Sequence, residues 1–215
     1  GASCVADPCD AFDCTQPISI CDGNSVVSYS GEGVCTGAEG CDFSAVETVT
    51  DCGDQECHGG VCYVVASASD LVITEYLANP ASTDTNYEWF EVYNTLGTDL
   101  YVGGMVVSDA GSDSFTVLDG TIISAFDHYV FGQSADAIPG GPDYDWSESG
   151  TFLLANGDDE IILTYDSVVI DSIAYDDCSS CFPDPSGASV SLGGGSYAAD
   201  NADSSLWCEG MGSYD

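Results

Sequence analysis

The chain has 215 residues with 37 Asp and Glu, no Lys or Arg and two His, giving a formal charge of −37 at neutral pH. With no basic group to neutralise phosphates, nucleic-acid binding is excluded, and anionic lipid surfaces repel such a chain. The absence of Lys also excludes Schiff-base catalysis and Lys–Asn isopeptide links, and trypsin-like proteases find no site to cut.

Residues 1–64 are dominated by sulfur. Nine of the twelve cysteines lie there: Cys4, Cys9, Cys14, Cys21, Cys35, Cys41, Cys52, Cys57 and Cys62. The other three are Cys178, Cys181 and Cys208. Gly and Asp punctuate the first segment and apolar material is sparse, so disulfides must supply what a core cannot. That chemistry requires an oxidising compartment, and a secreted, extracellular or cell-surface protein is expected. The first residue is Gly1, so a leader removed from a precursor is expected as well. Both cysteine counts, nine and three, are odd. If every cysteine pairs, at least one bridge joins the two regions or joins two chains, and the spacing leaves both open.

Residues 65–70 read as a linker, and from Leu71 the texture changes. Leu71 to Ala78 predicts a strand ended by Asn79-Pro80, and Glu88 to Tyr93 alternates as a strand does. Further strands are predicted at Leu100–Val107, Ser114–Leu118, Thr121–Ser124 and His128–Phe131. Thr151–Leu154 and Glu160–Tyr165 flank Asn156-Gly157, which predicts a hairpin. Val168–Tyr175 follows a tight Asp166-Ser167 turn, and Ser189–Leu192 is the last strand. No apolar run approaches the roughly 18 residues of a membrane span, so no membrane insertion is expected. The expected fold class is all-β: a β-sandwich over 71–210, a small disulfide-rich N-terminal module, and a C-terminal tail at 211–215.

The segments Leu71-Val-Ile-Thr-Glu-Tyr-Leu-Ala-Asn-Pro80, Glu88-Trp-Phe-Glu-Val-Tyr-Asn94, Gly104-Met-Val-Val-Ser-Asp109, His128-Tyr-Val-Phe-Gly132 and Asp171-Ser-Ile-Ala-Tyr175 occur in an order that resembles the lamin-tail domain. The resemblance covers about residues 70–210 and implies an immunoglobulin-like sandwich without catalytic residues. Met105 stands where the family usually carries Trp, which implies a repacked core. The first 64 residues resemble cysteine-rich repeats of bacterial surface proteins. Together these imply tethering or assembly outside the cell.

No residue has an evident catalytic role. His58 and His128 are the two histidines, and no G-x-S-x-G elbow accompanies them. Cys178-Ser-Ser-Cys181 has redox-motif spacing but lacks a βαβ setting, and zinc would need a second such pair, so a disulfide is the better reading. The acidic groups Asp7/Asp10/Asp13, Asp109/Asp113 and Asp158-Asp-Glu160 suit calcium, yet none matches an EF-hand loop. No cofactor is expected, and Ca²⁺ or other cations are expected as loosely bound counterions. Candidate interface residues are Val61, Tyr63, Val64 and Val65, a β-prone run suited to pairing with a sheet edge of the neighbouring domain or, by strand addition, of another subunit. Trp89 and Tyr93 are the others, and they either pack under a neighbouring loop or form an aromatic contact face. The expected partner is a further copy in a homopolymer, a fibre or surface-layer subunit. The alternatives are a monomeric adhesion or glycan-binding module and, more remotely, a protease inhibitor.

Overall fold

Short strands joined by Gly- and Asp-rich turns build almost the whole molecule. The computed structural model describes residues 9, 12–37, 40–81, 85–176, 181–193 and 201–213. The chain divides into two compact units, Gly1–Val64 and Val65–Asp215.

The first unit contains β1 (Ile20–Asp22), β2 (Ser25–Tyr29), β3 (Val34–Cys35), β4 (Cys41–Asp42), β5 (Glu47–Asp51) and β6 (Glu56–His58), and β7 (Val61–Val65) runs to its border. Strands β1, β2 and β5 form an antiparallel sheet, while β3–β4 and β6–β7 are hairpins. The β6–β7 turn is Gly59-Gly60, with φ of 56° and 80° as a two-residue hairpin requires. A Cβ on Gly60 would stand 2.3 Å from the Ser19 carbonyl oxygen, so that position has no room for a side chain. Among the described residues of this unit, Val27 and Cys52 are the buried hydrophobic side chains. So small a core cannot outweigh the conformational entropy of ordering the segment.

Four disulfides supply the difference: Cys9–Cys35, Cys14–Cys41, Cys21–Cys57 and Cys52–Cys62. The first two pin Cys9 and Cys14 to β3 and β4, where Cys35 and Cys41 are cross-strand neighbours. The other two attach the β6–β7 hairpin to β1 and to the segment after β5. Asn24 reinforces that attachment. Its amide donates to the carbonyls of Gly53 (3.0 Å) and Gln55 (2.9 Å), and its Oδ1 accepts from the Cys57 N–H at 3.0 Å.

The second unit holds β8 (Leu71–Leu77), β9 (Trp89–Asn94), β10 (Leu100–Tyr101), β11 (Val106–Ser108), β12 (Ser114–Thr116), β13 (Ile122–Ile123), β14 (His128–Gly132), β15 (Tyr144–Asp145), β16 (Gly150–Thr151), β17 (Asp159–Tyr165), β18 (Val168–Tyr175), β19 (Ala188–Leu192) and β20 (Trp207–Ser213). A six-stranded sheet in the order β15-β14-β9-β8-β19-β20 packs against a five-stranded sheet in the order β16-β12-β11-β17-β18. Between them Phe90, Phe115, Phe131, Trp146 and Phe152 are buried. Phe115 stacks on Trp146 at 5.3 Å and lies 6.1 Å from Phe131, joining the two sheets. Met105 is fully buried as well, so the apolar position where the resemblance implies Trp is filled by a thinner, more flexible side chain.

Three expected elements take a different form. The Leu100–Val107 strand is two strands, because Gly103-Gly104 intervenes and Gly104 adopts φ +86°. There β10 pairs with β13, while β11 joins the five-stranded sheet. The Asn156-Gly157 hairpin does not form. Strand β16 pairs with β12, and β17 pairs with β11 and β18, so residues 152–158 cross from one side of the sheet to the other. Burial drives that crossing, since Phe152 and Leu154 both enter the core. Finally, β20 continues to Ser213, into the stretch read as a tail. The Asp166-Ser167 turn is tight, with φ of 46° and 68°, and Tyr165 faces Val168 across it.

Candidate interaction surfaces and an acidic groove

The sulfur atoms have distinct fates. Besides the eight cysteines of the first unit's bridges, Cys181 is disulfide-bonded. Cys4 and Cys178 lie outside the described residues. Cys208, read in the sequence as a bridge cysteine, has no disulfide within this chain and is a free, exposed thiol. It sits on β20 opposite Ser191 of β19, so the ladder offers it no sulfur, and its Sγ lies 3.6 Å from the Ser191 carbonyl.

Trp89 takes the packed placement rather than the contact face. It is 3% exposed and packs with Leu77 and Ala137, with Val130 and Ile138 alongside. Alternation placed it on the face opposite Phe90 and Val92; β9 is an inner strand, and the loop after β14 covers that end of it. Tyr93 is half-buried, its ring 4.8 Å from His128. On β7, Val61 is half-exposed, and Tyr63, Val64 and Val65 are partly buried. The aromatic pair Trp89/Tyr93 is therefore no contact face.

His128 belongs to a polar cluster on β8, β9 and β14. Its Nδ1 lies 2.8 Å from Glu91 Oε1, which also accepts from Thr74 Oγ1 at 2.7 Å. Hydroxyl and imidazole share one carboxylate oxygen here. A nucleophilic relay needs the hydroxyl on the imidazole and the carboxylate on the other ring nitrogen, so these three residues tie strands together instead.

Two surface depressions lie in the second unit. One, of about 580 Å³, is bordered by Leu77, Tyr87, Asp136, Ile138 and Pro139 on the loop after β14. The other, of about 550 Å³, gathers Glu88, Asp109, Asp113 and Asp159. Glu88 is 2% exposed, and its Oε2 accepts from the Leu154 N–H at 2.9 Å, fixing the crossing segment to β9. Sequence reasoning passed over Glu88, because an alternating strand start gives no sign that a carboxylate is buried. Asp109 is likewise used structurally, its Oδ1 accepting from Gly111 (2.9 Å) and Asp113 (3.0 Å). Asp7 and Asp10 lie outside the described residues. No group of three or more His, Cys, Asp or Glu among the described residues is arranged to hold a metal ion.

Burial raises the Asp159 pKa above its ordinary 3.8, opposed by N–H donors from Ala155 and Glu160 and reinforced by the charges of Asp109 and Glu160. The folded chain therefore takes up this proton at a higher pH than the unfolded chain does. Stability from this group grows as pH falls through the raised value and levels off below 3.8. In thermal melts from pH 7 down to pH 3.5, Asp159→Asn will show a flatter rise in Tm on acidification than the wild type. Identical slopes would remove Asp159 from the account.

A family model described as the Lamin Tail Domain matches residues 65–177, just over half of the chain. The chain belongs to the lamin-tail domain family. The match begins at Val65, where the second compact unit begins, and ends before β19 and β20, which complete the six-stranded sheet. The lamin-tail domain is an immunoglobulin-like, non-catalytic structural domain, and its presence over residues 65–177 suggests a structural or protein-interaction module. The several disulfides suggest an extracellular, secreted protein. Among the described residues, no helix is long and apolar enough to cross a membrane. No curated protein matches the chain.

Proposed function

We propose that this lamin-tail chain is a non-catalytic building unit of an extracellular fibre or surface assembly, with further copies of itself as partners. The observation that carries the reading is the exposed Cys208 thiol on β20, the border strand of the six-stranded sheet. A border strand offers backbone groups for pairing, and a thiol on it can make that pairing covalent. Strand β5 adds a second open border, with all five of its residues exposed. Dense cross-linking and the lack of trypsin-type sites suit a material that must last outside cells. Between bodies of charge −37, contacts must be short-ranged, because repulsion is screened over only about 8 Å at physiological salt.

Oxidised wild-type protein run without reductant will give a disulfide-linked dimer through Cys208, and negative-stain images will show filaments. Cys208→Ser will lose the dimer band with its Tm unchanged. A monomer that keeps its Cys208 thiol titratable after oxidation, together with discrete particles, would refute the assembly reading. That result would favour an adhesion or glycan-binding module, whose binding face would be the Tyr87/Asp136 depression, an aromatic ring beside a carboxylate.

A further inference from the structure

Tyr76, on β8, is 2% exposed, and among the described residues its hydroxyl has no hydrogen-bond partner. A buried hydroxyl without a partner is costly, so it points to something that meets it. The ring itself is held firmly. It stacks on Tyr175 at 4.5 Å and contacts Trp207 at 5.7 Å and Phe182 at 6.5 Å. Swinging the hydroxyl out to solvent would break up this cluster.

The space it borders is defined. Tyr76, Asn79, Asn156, Asp176 and Asp184 line a small cavity with about 10 Å³ open to the centre of a water-sized sphere. That is room for about one water or one ion. Pro183 and Pro185 flank Asp184 and stiffen its loop, whose Gly187 N–H donates to the Asn79 carbonyl at 2.8 Å. A Cβ on Gly187 would come within 2.8 Å of Ala81 Cβ, so the loop is seated tightly over β8. Asp184 is close enough for its charge to act on the Tyr76 phenol, whose pKa is raised first by burial and then by that charge. Both Asp176 and Asp184 are exposed carboxylates at the rim, in a chain with no Lys or Arg to neutralise them.

We infer that this cavity is a calcium site, with Asp176 and Asp184 as charged ligands, Asn79 and Asn156 as oxygen donors, and the Tyr76 hydroxyl donating to a water on the ion. The donor set is all oxygen and the rim is open, which suits Ca²⁺ with part of its hydration shell retained. Two exposed carboxylates place its affinity in the class of extracellular modules, with Kd on the order of 10⁻⁴–10⁻³ M. The ion would fasten the Pro183–Ala188 loop to the ends of β8 and β18. This assignment is independent of fibre formation.

The aromatic cluster supplies the test. Terbium(III) occupies calcium sites and emits when a nearby Trp or Tyr is excited, and Tyr76 and Tyr175 line this one, with Trp207 against the Tyr76 ring. Titration of the whole chain with Tb³⁺ in 0.15 M NaCl will give one saturable luminescent site that Ca²⁺ displaces. Asp184→Asn will weaken Ca²⁺ displacement about tenfold or more, as loss of a charged ligand does. Tyr76→Phe will weaken it a few-fold, while Asp22→Asn in the first unit will leave it unchanged. Asp184→Asn alters an exposed side chain, so near-UV circular dichroism will match the wild type and the comparison stays valid. If Asp184→Asn and Asp22→Asn behave alike, the cations are diffuse counterions and the site is refuted. If Tyr76→Phe raises Tm equally in Ca²⁺ and in chelator, the cavity holds only water, and the inference falls.

Discussion

Reducing the protein with dithiothreitol at neutral pH will unfold residues 1–64 while the lamin-tail unit keeps its cooperative melt. The first unit buries two hydrophobic side chains among its described residues, whereas the second buries more than thirty. Its stability rests on loops closed by sulfur. The Cys21–Cys57 bridge spans 36 residues and removes about 3–4 kcal/mol of unfolded-state chain entropy. Opening it alone, as Cys21→Ala with Cys57→Ala, costs a large part of a small domain's stability. Hydrogen exchange read by mass spectrometry will show β1, β2 and β5 losing protection on reduction, while β8 and β9 keep theirs. Protection that survives in the first unit would mean that something other than its bridges holds it.

The second large effect is expected at Asn94. This side chain is fully buried at the end of β9. Its amide donates to the carbonyls of Thr98 (3.0 Å), Ile123 (3.2 Å) and Ser124 (2.9 Å), and its Oδ1 accepts from the Leu96 N–H at 2.9 Å. One residue thus satisfies two neighbouring turns. Asn94→Leu keeps the approximate volume but strands two or three buried polar groups, at about 1–3 kcal/mol each. A loss of roughly 3–5 kcal/mol follows, a fall in Tm on the order of 10 °C for a unit of this size. Asn94→Asp should be at least as damaging. It is nearly isosteric, but it aims a carboxylate at three carbonyls in a chain that has no Lys or Arg to compensate. Calorimetry on both variants separates the explanations, since a benign Asp variant would mean that shape alone matters there.

The strand pattern and the family were legible because alternation and turn residues are local signals. Val168–Tyr175 lies where its β-branched run predicts, and the Asp166-Ser167 turn forms as read. What escaped depends on neighbours distant in sequence. Trp89 looks like half of a two-faced strand until the loop carrying Ala137 and Ile138 folds over it. Asn156-Gly157 looks like a hairpin until Phe152 and Leu154 are drawn into the core and pull β16 to β12. Glu88 and Tyr76 gave no warning, because burial of a polar group is decided by tertiary contacts that no window of sequence contains. Odd cysteine parity pointed to a bridge between the two regions or between two chains, not to a free thiol. It could not say that β20 would carry it, since only the ladder shows Ser191 facing Cys208.

The scarcity of core in the first unit also bears on how such a chain is made. Wherever glutathione keeps its sulfurs as thiols, that unit stays unfolded and pliant. It sets on meeting an oxidising medium, so hardening is timed by chemistry at the destination rather than by the ribosome.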